Sequence, residues 1–382
     1  MEKSVLKMRK TDILIYLYLS GIMLYYTTNN SYWGINIRNF IIILAMIIGI
    51  IKVFVTLKID LKTLVVLCII SVIVIQNFLH NKDSRILVVL VSILCVLNEE
   101  RSKIINGMLY SKLVTFLIVV LLGGYKHINQ FALQAGIILL LYLCKEEKHN
   151  YDWYIKLVIC FLSTVAICLY TDTGSAKVCL PVCILLYTLK KTKLGIKLLS
   201  SIFTMLVFPM GLFFNYFFGA GVGESEIPFI GQYFSKGINQ FYIKLVQVLD
   251  TATSWRLSLV KNSFARFGAS WLGGNIDYST LNLQQGQYFL LDSGFIWLVQ
   301  GWGYLMCILM MVLLVVMMWY FSKIEEYNYI IAGIGIALWA INEDMLVSVG
   351  TNFLLIFIGQ AIWYYVHKRK LDREVSRREV IW

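Results

Sequence analysis

Long apolar blocks alternate with short charged runs along this chain, and that alternation limits its fold more than any other feature. The blocks run to about 15–20 residues, close to what an α-helix needs to cross the ~30 Å hydrocarbon core of a bilayer. Only three prolines occur in 382 residues, so little breaks the blocks up. Apolar residues make up 59% of the chain and charged residues 15%, against ~45–50% and ~25% in soluble domains. Mean hydropathy is +0.73. These values exclude a soluble enzyme, a disordered scaffold and a secreted disulfide domain. The expected fold class is all-α, a polytopic integral membrane protein.

The blocks predict about twelve spans, near 12–28, 38–55, 62–79, 85–98, 108–123, 129–144, 153–170, 177–189, 197–218, 291–321, 328–343 and 350–366. Spans 85–98 and 177–189 are short, and the second contains Pro181. The basic N-terminus lacks a small-residue cleavage site after it and reads as leading into an uncleaved first span. With that terminus in the cytoplasm, 24 of the 34 lysines and arginines fall on the cytoplasmic side. The net charge of +12 then divides as +11 inside and +1 outside. Such a bias is the positive-inside signal of membrane topology. It needs no nucleic acid, and the basic tail from Lys368 can rest on anionic membrane lipids. Both termini are placed in the cytoplasm.

Three regions follow: helices over 1–219, an outer loop over 220–290, and helices plus a basic tail over 291–382. No internal repeat is visible. The loop is rich in aromatics. Ile238, Phe241, Leu245 and Leu249 recur at helical spacing, which predicts an amphipathic surface helix. Asp250 or Thr251 is a candidate cap for a second helix running to about Phe267.

The eight cysteines include no CxxC pair, and the four histidines are scattered. Cys179 and Cys183, one helical turn apart, read as packing. No phosphate loop, dinucleotide fingerprint, nucleophile elbow or HExxH is present. No metal and no cofactor are expected. Charged residues near membrane depth on the outer side remain, and these are expensive to place there. Lys177 follows the turn Thr173-Gly174-Ser175-Ala176. It is either a helix-end lysine reaching for solvent or, with Ser175 and the turn's N–H groups, a phosphate holder. Arg256 offers a planar fork suited to phosphate, or belongs to a solvated helix face with Lys261 and Arg266. Lys261 lies ~140° around the helix from Arg256, which argues against the two sharing one phosphate. Asp292 is either an N-cap or a group that orients or deprotonates a hydroxyl. Glu343, beside Asn342 and Asp344, is either solvated or a partner for Arg256 or Lys177.

These pieces resemble the Wzy-type bacterial polysaccharide polymerases of the O-antigen polymerase/ligase superfamily. The resemblance rests on Leu291-Asp292-Ser293-Gly294-Phe295 with Gly301-Trp302-Gly303-Tyr304 after the long loop. Thr173-Gly174-Ser175-Ala176-Lys177 resembles a Thr-x-Ser-Arg turn, with Lys for Arg and one extra residue. Trp255-Arg256, followed by Gly268 and Gly273-Gly274, resembles the loop's arginine helix and glycine-rich end. Glu343 before Thr351-Asn352-Phe353 resembles a late glutamate turn. The similarity covers roughly 170–360.

The resemblance implies a metal-independent glycosyltransferase of the bacterial cytoplasmic membrane, working on its outer face. It would join oligosaccharide units carried on undecaprenyl pyrophosphate. Arg256, Asp292 and Glu343 would be catalytic. Lys177, Ser175, Lys261, Arg266, Trp255 and Tyr288 would bind substrate, the aromatics by stacking on sugars. Partners would be the lipid-linked oligosaccharides, with a chain-length regulator and a flippase as further candidates. A ligase of the superfamily would carry a histidine near Asp292, and residues 220–300 contain none. A flippase should bury charges mid-span, whereas these spans read as nearly free of them.

Overall fold

A computed structural model describes residues 10–28, 31–32, 35–253, 255–274, 276 and 293–367. Among these the chain is helical, with no strand and one isolated bridge between Ser31 and Tyr125. The helices are α1 (Lys10–Thr27), α2 (Ile35–Thr56), α3 (Leu61–Asn81), α4 (Arg85–Val96), α5 (Arg101–Leu121), α6 (Ile128–Cys144), α7 (Asn150–Thr171), α8 (Gly174–Leu189), α9 (Lys193–Leu199), α10 (Ile202–Met205), α11 (Val207–Ala220), α12 (Lys236–Ala252) and α13 (Arg256–Phe267). They continue with α14 (Gly294–Lys323), α15 (Tyr327–Ala340) and α16 (Phe353–His367).

Five stretches are long and apolar enough to cross a membrane: Ile37–Thr56, Leu61–Asn81, Arg101–Leu121, Tyr151–Thr171 and Gly294–Lys323. Shorter apolar helices occupy α1, α4, α6, α8, α11, α15 and α16. The outward faces of the long helices are apolar, with Phe54, Leu61 and Leu169 exposed. In water such surface would be untenable at this extent. The apolar helices therefore mark a membrane protein.

The expected span 197–218 is not one helix. It breaks at Ser200–Ser201 and again at Leu206. The Ser200 hydroxyl donates to the Ile196 carbonyl at 2.7 Å, and Thr204 donates to Leu199 at 2.8 Å. Such back-bonding competes with the helix ladder. Pro209, in the first turn of α11, has no N–H to continue the preceding helix and is tolerated only at a helix start.

The chain packs as two compact units. One contains residues 1–72, 85–160 and 348–382. Here α1 packs on α2 and α5, and α4 packs on the start of α16. The spans are less free of charge than they read, because Lys52, Lys112 and Lys156 lie buried on α2, α5 and α7. The basic bias keeps its sign without them. Lys52 pairs with Glu99 at 2.8 Å and donates to the Cys95 carbonyl. Gln360 donates to Val96 and Glu99 carbonyls at 3.2 and 2.9 Å. Together they bring side-chain donors to the Cys95 and Val96 carbonyls at the end of the short α4, where helix carbonyls lack intrahelical partners.

Lys112 is fully buried, and its Nζ is caged by three neutral oxygens. These are Gln134 Oε1 at 2.5 Å, the Gly350 carbonyl at 2.9 Å and Thr27 Oγ1 at 3.4 Å. The cage ties α1, α5 and α6 to the segment before α16. A buried acceptor left without its donor costs ~1–3 kcal/mol. Lys112→Met is therefore expected to destabilise the protein by about 2–4 kcal/mol. Reversible unfolding in detergent titration measures this, and wild-type stability in the variant would show the cage to be dispensable.

The other unit contains residues 73–84 and 161–347. It holds α8 against α15, α11 against α13, and α14 against α11 and α15. The helix α14 opens irregularly. Leu298–Trp302 form a π turn, and Gly303 then adopts φ +83°. The segment 270–274 docks on this opening. Tyr304 and Leu305 N–H groups donate to Ser270 and Trp271 carbonyls at 3.0 and 3.1 Å, and Gly274 N–H donates to the Gln300 carbonyl at 3.0 Å. Donors that a helix start leaves unpaired are thereby filled from the loop. From α3, Asn77 donates to the Trp302 carbonyl at 2.6 Å and Asn81 to that of Leu272 at 2.8 Å.

Candidate functional site

The loop helices carry the site. Helix α12 buries Asn239, Tyr242, Val246 and Asp250, spaced to share one face. The apolar stripe read from the sequence lies elsewhere: Ile238 and Phe241 are exposed, and Leu245 and Leu249 are half-buried. Tyr242 donates to the Phe217 carbonyl at 2.9 Å, and burial pushes its hydroxyl up to about 12. Asn239 bonds the Ile227 N–H and the Gly231 carbonyl, which fixes the loop before α12.

Asp250 remains inside α12, yet it caps the next helix as the sequence reading expected. Its carboxylate accepts from the Ser258 N–H at 3.0 Å and from the Ser258 hydroxyl. The helix α13 starts at Arg256, and the preceding Trp255 sits at φ 65°, a left-handed backbone rare for a bulky residue. The Trp255 N–H closes the turn onto the Asp250 carbonyl at 2.7 Å. This turn exposes the Trp255 ring, at 64%, and sends Arg256 the other way.

Arg256 meets the turn after α15. Its Nε donates to the Asn342 carbonyl at 3.0 Å, and Nη1 lies 3.5 Å from the Thr253 carbonyl. Nη2 stands 3.9 Å from Glu343 Oε1, with the side chains 18% and 9% exposed. That separation is an ion pair without hydrogen-bond contact. The Glu343 carbonyl also accepts from the Gly294 N–H at 3.2 Å, which brings the start of α14 to the same turn. The Asn342 amide oxygen is buried and has no hydrogen-bond partner among the described residues.

The other expected residues divide. Asp292 and Tyr288 lie outside the described residues. The N-cap of α14, one role considered for Asp292, is filled by Ser293, whose hydroxyl accepts from the Ile296 N–H at 3.4 Å. Lys177 pairs with Asp172 in solvent rather than with Glu343, and that pairing lowers the Asp172 carboxyl below its usual range. Ser175 sits half-buried in the first turn of α8. Lys261 points away from Arg256, to Glu224 at 2.6 Å and to the Val222 carbonyl. Arg266 is exposed in the last turn of α13, where a cation complements the helix dipole. Trp297 is packed edge-on to Trp302, and Trp271 is exposed beside Tyr304.

On the side of the turn that Trp255 faces lies a cavity of about 610 Å³ lined by Glu224, Gln247, Asp250, Thr251, Trp255 and Ser258, among others; Arg256 and Glu343 are not part of its lining. A flat aromatic surrounded by carboxylates, an amide and hydroxyls suits a polyhydroxylated ligand. Gln247 carries no signal in the sequence reading, and Thr251 enters it only as a candidate cap, not as a residue lining a cavity. They follow Ile243 at i+4 and i+8, and a register drawn from Asp250 rather than from the apolar stripe would have found them. Among the described residues, no three His, Cys, Asp or Glu side chains cluster as metal ligands would.

No protein-family model matches the chain, and no curated protein and no solved structure does either. Fold and site define a class: a helical membrane protein whose loop helices carry an arginine that meets a glutamate and, separately, a polar cavity with one tryptophan in its lining.

Proposed function

We propose that the chain is a polymerase that joins lipid-linked oligosaccharide units at the outer face of the bacterial cytoplasmic membrane. In this reading the twelve apolar helices all cross the bilayer, both termini are cytoplasmic, and α12 and α13 lie on the outer surface. The observation that carries it is the meeting of Arg256 with Glu343 and with the Asn342 backbone carbonyl, at a turn where the Asn342 amide oxygen is buried with no hydrogen-bond partner among the described residues.

The reaction needs an oxygen nucleophile and a stabilised leaving group. A hydroxyl of the acceptor unit attacks the anomeric carbon of the growing chain. The bond from that carbon to the pyrophosphate oxygen breaks, and the lipid pyrophosphate leaves with the electron pair. Arg256 stabilises that charge, as preorganised donors do at developing anions. The arriving pyrophosphate takes the guanidinium away from Glu343. The Glu343 carboxylate then accepts the hydroxyl proton, with Asp292 as the second candidate base. Asn342 Oδ1 orients the hydroxyl. The cavity at Trp255 holds a sugar of one unit.

A lipid-linked oligosaccharide flippase is the rival reading, and Lys52 and Lys112 are buried charges of the kind it requires. Both are occupied as structural donors, however, which favours the polymerase. Deleting the gene is expected to leave surface glycan as single repeat units. Complete loss of surface units would overturn the polymerase and support the flippase.

A further inference from the structure

A second polar cavity, of about 470 Å³, lies in the other unit, far along the chain from Arg256. Its lining comes from the first turns of α5 (Ser102, Asn106, Tyr110), the end of α6 and the loop after it (Tyr142, Lys145, Glu146, Lys148), and the start of α7 (Asp152, Ile155, Lys156). It therefore sits at the ends of two of the long apolar helices, where hydrocarbon gives way to headgroups.

Several of its charges are already engaged. The Asp152 carboxylate accepts from the Lys148 and His149 N–H groups at 2.9 and 3.0 Å. Lys156 is buried, with its Nζ on the Lys145 carbonyl, 3.5 Å from that of Leu143 and 3.7 Å from Glu147. Lys145 leans on Tyr110, donating to its hydroxyl at 3.1 Å with the ammonium 5.5 Å from the ring centre. Lys148 is exposed. The lining therefore offers three ammonium groups, of Lys145, Lys148 and Lys156, against the two carboxylates of Glu146 and Asp152. Deeper in, Asn106 Oδ1 is buried with no hydrogen-bond partner among the described residues.

This set asks for a ligand with two chemistries: an anionic oxygen for Lys145 and Lys148, and hydroxyl donors for Asn106 Oδ1 and Glu146. A phosphodiester carrying free hydroxyls supplies both. The source is indicated by the rim. Ile155 lines the cavity, and Ile159 continues from it at i+4, both exposed. They put apolar surface on α7 next to a polar mouth, as a lipid with a polar headgroup and apolar chains would need. Basic pockets between membrane helices are known to hold anionic headgroups.

We propose that this cavity is a binding site for the hydroxylated phosphodiester headgroup of an anionic glycerolipid. The site is independent of the glycan chemistry and stands whether or not that reading does.

Native mass spectrometry of the purified full chain tests it with three probes: phosphatidylglycerol, phosphatidylcholine and water-soluble glycerol 3-phosphate. Phosphatidylglycerol should bind about ten-fold tighter than phosphatidylcholine, and glycerol 3-phosphate far more weakly than either. Lys145→Ala with Lys148→Ala should remove the preference, as should Asn106→Leu alone. Lys193→Ala with Lys197→Ala, exposed elsewhere, should leave it intact. Should the double variant not fold, the single Lys148→Glu, on an exposed side chain, must still lower the preference. Equal binding of the two lipids, or a preference that survives these variants, overturns the site. Loss in the Lys193/Lys197 variant would reduce the preference to general surface charge, and overturns it too. Glycerol 3-phosphate binding as tightly as the lipid would make free phosphate esters the ligand and overturn the lipid assignment.

Discussion

Arg256→Ala and Arg256→Lys are both expected to abolish chain growth while the protein accumulates normally in the membrane. The Ala variant removes the cation that faces Glu343. The Lys variant keeps a charge but loses the planar fork and the Nε–H that holds the Asn342 carbonyl at 3.0 Å. A preorganised donor at a developing oxyanion contributes ~10²–10³-fold in rate, so even partial retention of the side chain should leave little polymer. Lys177→Ala is the contrasting case. Its pair with Asp172 is largely solvated, and such pairs contribute ~0–1 kcal/mol. Polymer length, read on gels of surface glycan, separates the two. Wild-type length in both Arg256 variants would sink the assignment, and single units in Lys177→Ala would return that lysine to the site.

Gly303→Ala is expected to be as severe by a different route, through loss of folded protein. A Cβ on Gly303 would lie 2.2 Å from the Gly273 nitrogen, and the backbone there is at φ +83°. The obstacle is backbone, which cannot swing aside as a side chain can. The reverse substitution Gly273→Ala meets the Gly301 carbonyl at the same distance, 2.2 Å. Each variant must either undo the π turn or expel the 270–274 segment with the hydrogen bonds it makes. A loss of several kcal/mol is typical where strain and broken hydrogen bonds combine. Membrane abundance and detergent-resistant folding measure it. Normal folding of both variants would mean that the two backbones do not meet.

Much of the helical layout was legible because it depends on local pattern. Apolar runs of helix length, a helix through Ile238–Leu249 and the end of α13 at Phe267 all follow from periodicity and capping. The outward stripe of α12 suits the amphipathic surface helix read from the sequence, but which polar groups its other face buries was not legible. In a soluble protein the apolar stripe faces inward, but beside lipid there is no gain in hiding it. The face with Asn239, Tyr242 and Asp250 is buried instead, because those polar groups need partners. The break of 197–218 is signalled only by Ser200, Ser201 and Pro209, inside a run whose apolar content alone reads as one span. The Arg256–Glu343 meeting joins residues far apart in the chain, and no periodicity encodes that. Lys112 was visible in an apolar run, but only packing shows its three oxygen partners.

The exposed stripe of α12 has a bearing on how such an enzyme would find its substrate. Ile238 and Phe241 give the helix buoyancy: in the proposed topology it floats at the boundary between headgroups and hydrocarbon. Arg256, at the start of the next helix, is carried at that same level. A phosphate tethered to a lipid rides there too. The search is thereby reduced from a volume to a plane, and each encounter starts with the reacting groups already at one height.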